Sequence, residues 1–223
     1  MAKTKKNDER EVIKGITPIG TITFSHLTEP DYTFEKAGSY NVKIRLSEEQ
    51  ATPILDTANR LIEEEYAKAK AACKTKLEES KLKLAEDLPI KIEKNDNAEP
   101  TGYYIFGAKM KASGVTETGR EWTRQPDLFD SQGQKVKRDG LNIWGGSEVR
   151  VAYTMSAFNV ASLGVGVSCR LEAVQIVKLV SGSERTAEGY GFDMEEGYTA
   201  DTLTASHVDD SAEAEDDGGE GDF

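Results

Sequence analysis

Cysteine is scarce in this chain. Cys73 and Cys169 are the only two, far apart, and they match neither a CxxC pair nor a Cys/His ligand spacing. A disulfide scaffold and a zinc ribbon are excluded, and two idle thiols in a reducing compartment are expected. Long hydrophobic runs are missing as well. No stretch approaches the roughly 18 apolar residues of a spanning helix, and Met1-Ala2-Lys3-Thr4-Lys5-Lys6 has neither apolar core nor cleavage site. Neither a membrane span nor Sec export is expected, and a cytoplasmic location is. Histidine is limited to His26 and His207, neither beside a nucleophile or at metal-ligand spacing. There is no Walker A sequence, and Gly164-Val165-Gly166 lacks the third glycine of a dinucleotide fingerprint. Carboxylates show no EF-hand spacing and do not cluster within residues 1–185 as a metal nuclease requires. The chain is not expected to be an enzyme, and no cofactor or metal is implied.

Basic residues are also absent from one end. All 28 Lys and Arg of the 223 residues lie at or before Arg185, and 13 of the 40 acidic residues follow it. Residues 1–185 therefore hold 27 acids against 28 bases, nearly neutral, and the last 38 residues carry the whole net charge of −12. The chain divides into a basic arm (1–11), a folded body (12–185) and an acidic tail (186–223), whose composition predicts disorder. The tail ends in one aromatic, Phe223. A terminal aromatic adds nothing to solubility but suits a small apolar pocket rimmed by bases. Asp216, Asp217, Glu220, Asp222 and Phe223 are therefore the candidate partner-binding residues.

Within the body, alternation predicts strands. Ile16 to Phe24 forms one, with Ile22 and Phe24 on a common face, and Leu27 to Lys36 reads as a loop around Pro30. Tyr40, Val42, Ile44 and Leu46 alternate inward against Asn41, Lys43 and Arg45. Ser47-Glu48-Glu49-Gln50 has capping-box spacing and opens a long helix over about 47–87, ended by Pro89. Tyr104, Phe106, Ala108 and Met110 define the inner face of a third strand, with Tyr103, Lys109 and Lys111 opposite. Residues 113–146, with six glycines, read as a loop. Glu148 to Phe158 points Val149, Val151, Tyr153 and Met155 inward and Arg150 and Thr154 outward, and Val165 to Val180 breaks phase near Glu172-Ala173, as a bulge does. Five strands and one inserted helix make a mainly β protein, best satisfied by a five-stranded barrel of the oligonucleotide/oligosaccharide-binding (OB) type.

Aromatics interleave with bases along the centre of the chain. Tyr103, Lys109, Lys111, Arg120, Trp122, Arg124, Lys135, Lys137, Arg138, Trp144 and Arg150 lie close together in sequence and include both tryptophans. With Lys43 and Arg45 they form the set that single-stranded nucleic acid asks for, cations along the phosphates and flat side chains under the bases. Trp122, between Arg120 and Arg124, is expected to be exposed; for Trp144, before Gly145-Gly146, core packing and stacking are equally open.

These features together, and the stretches Leu141-Asn142-Ile143-Trp144-Gly145-Gly146-Ser147-Glu148-Val149-Arg150-Val151 and Gly164-Val165-Gly166-Val167-Ser168-Cys169-Arg170-Leu171-Glu172-Ala173-Val174-Gln175, resemble the single-stranded-DNA-binding proteins of tailed bacteriophages. The resemblance implies an OB barrel that coats single-stranded DNA without sequence specificity during phage replication, recombination and repair in the host cytoplasm. It also implies a tail that contacts replication proteins such as polymerase and helicase-primase, and that can enter the DNA groove of its own or a sister subunit, so that a homodimer is compatible with it. The alternative is an acidic scaffold that binds basic partners and no nucleic acid, which the near-neutral body mildly favours.

Overall fold

The structure is a computed structural model that describes residues 11–181. In chain order the elements are β1 (Val12–Ile16), β2 (Gly20–Asp31), β3 (Ser39–Ser47), α1 (Glu48–Ala72), α2 (Lys76–Ser80), β4 (Ile90–Lys94) and β5 (Pro100–Lys111). They continue with β6 (Ser113–Val115), β7 (Glu121–Thr123), β8 (Asp127–Phe129), β9 (Glu148–Val160) and β10 (Gly164–Lys178). The protein is mainly β, with one long helix.

Strand alternation carries over directly in β3. Tyr40, Val42, Ile44 and Leu46 are buried, while Asn41, Lys43 and Arg45 face outward. The inner faces of β5 (Phe106, Ala108, Met110) and β9 (Val149, Val151, Tyr153, Met155) complete one core with Val165, Val167 and Leu171 of β10. β10 slips register between Leu171 and Ala173, where the hydrophobic phase breaks.

The pairings return on themselves. β2 pairs with β3, β3 with β5, β5 meets β10 in parallel at Lys109↔Arg170, β10 runs antiparallel to β9, and β9 meets β2 at Val149↔Gly20. β1 lies along β9, β4 along β5 and β8 along β10, and β6–β7 form a separate two-stranded hairpin. α1 lays Ala51, Ile54, Ala58, Leu61, Ile62 and Ala69 against the core.

Six expectations are corrected here. The strand expected over Ile16–Phe24 is two strands, because Thr17 turns the chain between them, its buried hydroxyl accepting from the Val151 amide at 3.0 Å. A register shift between Ile22 and Phe24 then puts the two on opposite faces, so Ile22 is buried and Phe24 is 47 % exposed. The expected loop from Leu27 begins only after Asp31, since β2 runs that far. The helix starts as expected: Ser47 Oγ accepts from the Gln50 amide and the Gln50 side chain accepts from the Ser47 amide. It ends at Ala72 and not near Asp87: Cys73 turns to extended backbone, the short α2 follows, and the chain then runs along β10, with Leu84 bridging to Val165 and the Ala85 amide donating to Val165 O. Residues 113–146, expected as loop, contain β6, β7 and β8. Thr154, expected outward, is buried and donates to Glu172 Oε1 at 2.7 Å.

Candidate nucleic-acid interface

Because β3 and β5 alternate cleanly, their outward residues stand in register. Arg45 faces Ile105, Lys43 faces Gly107, Asn41 faces Lys109 and Ser39 faces Lys111. β2 adds a third row, with Phe24 beside Lys43 and His26 beside Asn41. Lys43 Nζ lies 5.7 Å from the centre of the exposed Phe24 ring, and His26 meets that ring edge-on at 5.2 Å. From Tyr103 to Lys111 this face runs about 27 Å at strand rise.

At its Tyr103 end the Arg45 guanidinium stacks 4.1 Å from the Tyr103 ring. Its Nε and Nη2 donate to Glu93 Oε2 at 2.9 and 2.6 Å, and the Thr101 hydroxyl donates to the same oxygen at 2.6 Å. The Thr101 hydroxyl first, then Arg45, hold the Glu93 carboxyl below the usual carboxylate range. Arg45 is thus a fixed platform-builder for Tyr103 as well as a cation.

At the other end Lys109 and Lys111 share one counter-ion, Glu35, at 3.9 and 3.6 Å. Glu35 sits in the β2–β3 connection, which also presents Tyr32 and Phe34; Phe34 is 90 % exposed. This connection is tied to the start of the β6–β7 hairpin, where the Ala112 amide donates to Gly38 O and the Ser113 hydroxyl to Ala37 O. On that hairpin the Arg124 guanidinium stacks 4.5 Å from Trp122. Trp122, expected to be exposed, is half-buried, because its ring lies over Gly114 so closely that a Cβ there would sit 2.5 Å from it. Arg120 is exposed in the hairpin's turn.

Tyr103, Lys43, Arg45, Lys109 and Lys111 therefore share one face, with Trp122, Arg124 and Arg120 on the hairpin that continues from it. Trp144 is 53 % exposed, which resolves the two readings in favour of an accessible ring, and its neighbour Gly146 donates to Ile22 O beside β2. Four of the sequence candidates do not join. Arg138 donates through Nη1 to Leu27 O and Nη2 to Pro126 O and lies over the Tyr40 ring, so it ties the 126–138 segment to the core. Lys135 pairs with Asp127 at 2.7 Å, and both it and Lys137 follow β8, on the β10 edge. Arg150 is on β9, which pairs with neither β3 nor β5, and donates to Thr17 O. Asp216, Asp217, Glu220, Asp222 and Phe223 lie outside the described residues.

Sequence reasoning missed Phe24, Phe34 and Asn41. Phe34 carried a signal, a large aromatic inside a polar, Pro-containing connection. Phe24 carried none, because only a register shift turns it outward. Asn41 gains interest from its surroundings. β5 and β10 are laddered at a single residue pair, and beside it opens a cavity of about 310 Å³ lined by Asn41, Lys43, Gly107, Lys109, Phe158 and Cys169 among others. Asn41 Oδ1 is buried without a hydrogen-bond partner, an arrangement that costs about 1–3 kcal/mol. Burial pushes the Cys169 thiol up to about 12, so it is a neutral part of that wall. Among the described residues no group of three His, Cys, Asp or Glu side chains is placed to hold a metal ion, and no helix is long and apolar enough to cross a membrane.

A family model described as the single-stranded DNA-binding protein of bacteriophage T7 matches residues 19–179. Among solved structures, the crystal structure of gp2.5, a single-stranded DNA binding protein encoded by bacteriophage T7, superposes with a TM-score of 0.64 at 22 % identity, covering 82 % of this chain and 98 % of that one. The single-stranded DNA-binding protein from bacteriophage Enc34, in a C-terminally truncated form, gives 0.50 at 15 % identity over 76 % and 88 %. Both are likenesses of fold. No curated protein matches the chain.

Proposed function

This chain belongs to the family of the single-stranded DNA-binding protein of bacteriophage T7, and from that membership we propose that it binds single-stranded DNA without sequence specificity on the outward face of β2, β3 and β5. The observation that carries the reading is the β2–β3–β5 register, which sets cations and rings side by side: Arg45 on Tyr103, Lys43 on Phe24, and Lys109 and Lys111 beyond, with Arg124 on Trp122 added by the β6–β7 hairpin. Stacked rings supply sequence-tolerant affinity, about 1–3 kcal/mol per base, and the lysines and arginines neutralise phosphates with release of counterions. The cyclic strand pairing supports a five-stranded OB-type barrel made of β2, β3, β5, β9 and β10. In that architecture the face of the second and third strands and the loop between the first and second hold oligonucleotides, and here these are β3, β5 and the Tyr32–Phe34 connection.

The reading extends to a role in phage DNA replication, recombination and repair in the host cytoplasm. Asp216, Asp217, Glu220, Asp222 and Phe223 then contact replication proteins such as polymerase and helicase-primase, and the acidic tail competes with DNA for the cationic face within one subunit or across a homodimer. The experiment is a tryptophan-fluorescence titration with poly-dT. Trp122 is half-buried and Trp144 more than half exposed, so stacking quenches emission at low salt and the quench reverses as salt rises. Emission indifferent to poly-dT, with no retention of the oligonucleotide, favours the acidic-scaffold alternative.

A further inference from the structure

Asn41 Oδ1 is the one buried side-chain oxygen or nitrogen without a hydrogen-bond partner among the described residues. Asn41 also lines the cavity beside the one residue pair through which β5 and β10 are laddered, where the sheet opens because Gly107 N donates to Pro89 O instead of continuing a ladder with β10. Gly107 keeps the mouth wide. A Cβ there would meet nothing closer than Lys43 Cγ and Pro89 O, both at 3.8 Å. Val167, the neutral thiol of Cys169 and the half-buried Phe158 ring supply apolar walls, and the charged lining is Lys43, Lys109 and the Lys91–Asp87 ion pair.

From this arrangement, and resting on the proposed DNA-binding reading, we propose that the cavity is a nucleobase pocket, in which Asn41 pairs with the edge of one base that the strand turns inward. The chemistry discriminates among ligands. A phosphate or carboxylate satisfies the lysines but has no N–H to offer Oδ1. Each of the four bases carries, on its pairing edge, an N–H next to an acceptor, and a carboxamide presents the complementary acceptor and donor. Rotation about the terminal Asn41 torsion, which is soft, turns the carboxamide out of its buried position, so that Oδ1 meets the N–H and Nδ2 the acceptor and the unpartnered oxygen gains its hydrogen bond. Because the match is met by every base, the pocket reads the presence of a base and not its identity, which keeps binding sequence-tolerant. The phosphates flanking the inserted nucleotide fall to Lys43 and Lys109. The volume lies at the low end of small-ligand sites, which suits one base and not a stack.

The test compares two probes of equal length, oligo-dT and a fully abasic phosphodiester chain, against wild-type full-length protein, Asn41→Ala, Gly107→Val and Lys43→Ala, with circular dichroism to verify folding. Asn41→Ala and Gly107→Val are expected to weaken oligo-dT by about three- to tenfold and to leave the abasic chain unchanged, while Lys43→Ala weakens both. Gly107→Val acts by filling the cavity and needs no change at Asn41, so the two variants report independently. Equal effects of Asn41→Ala on both probes, or none on either, overturn the pocket while oligo-dT binding stands. Wild-type protein that ignores oligo-dT altogether overturns the parent reading and the pocket with it.

Discussion

Single side chains decide how much of the cationic face is available. Glu35 faces both Lys109 and Lys111, standing where a phosphate would stand. Exposed pairs of this kind are weak and screened by salt. Glu35→Gln should therefore raise affinity for oligo-dT by about two- to fivefold at low salt, with the gain vanishing at high salt; equal isotherms at low salt would show that the lysines do not touch DNA. Glu93 acts on the opposite end. The Thr101 and Arg45 bonds lower its carboxyl pKa in the fold. Its contribution to stability is thus present above the ordinary carboxylate pKa and lost as pH falls through the depressed value. Glu93→Gln should lower the urea midpoint at neutral pH, and the gap from wild type should close below about pH 4. A gap that stays constant across that range would contradict the assignment.

Among the elements, α1 is where local chemistry is most complete. Its capping box satisfies two amides that the first turn leaves without partners. Ser47→Ala should cost about 1 kcal/mol in denaturant unfolding, within a range of about 0.5–2, and should leave DNA affinity unchanged because the cap acts on α1, which lays one face on the core and carries none of the candidate DNA-contacting residues. Loss of affinity without loss of stability would mean that Ser47, opposite Tyr103 in the β3–β5 register, takes part in the interface. β2 shows the converse. Its register shift after Ile22 turns Phe24 to the surface beside Lys43, and Phe24 joins the outer face only because of it. The β6–β7 hairpin likewise turns a run of bases and glycines into a stacked Arg124–Trp122 pair, with Gly114 making room for the ring.

Across the whole protein the governing quantity is the separation of charge. Residues 1–185 are almost neutral and the acidic excess follows Arg185, so any cationic surface must arise from local placement. Lys43, Arg45, Lys109 and Lys111 arise in that way from two paired strands. If the acidic segment competes for that surface, deleting 209–223 should increase affinity for oligo-dT at low salt and steepen its salt dependence, since both competitors are polyanions. Unchanged or weaker binding of the truncated chain removes the competition.

Strand alternation, the capping box and the phase break at Glu172-Ala173 were legible in the residues, because each is a local rule with a fixed period or spacing. So was the division into a neutral body and an acidic end. The pairing of β3 with β5 was not, nor was the fate of each base in the central run. Arg124 and Arg138 look alike along the chain, yet one stacks on the half-buried Trp122 and the other binds two core-side carbonyls. Side-chain environment depends on which distant strand lies alongside, and a single-residue shift in β2 reverses a face. Long-range register, which no local pattern encodes, placed Phe24 beside Lys43 and Asn41 beside Lys109.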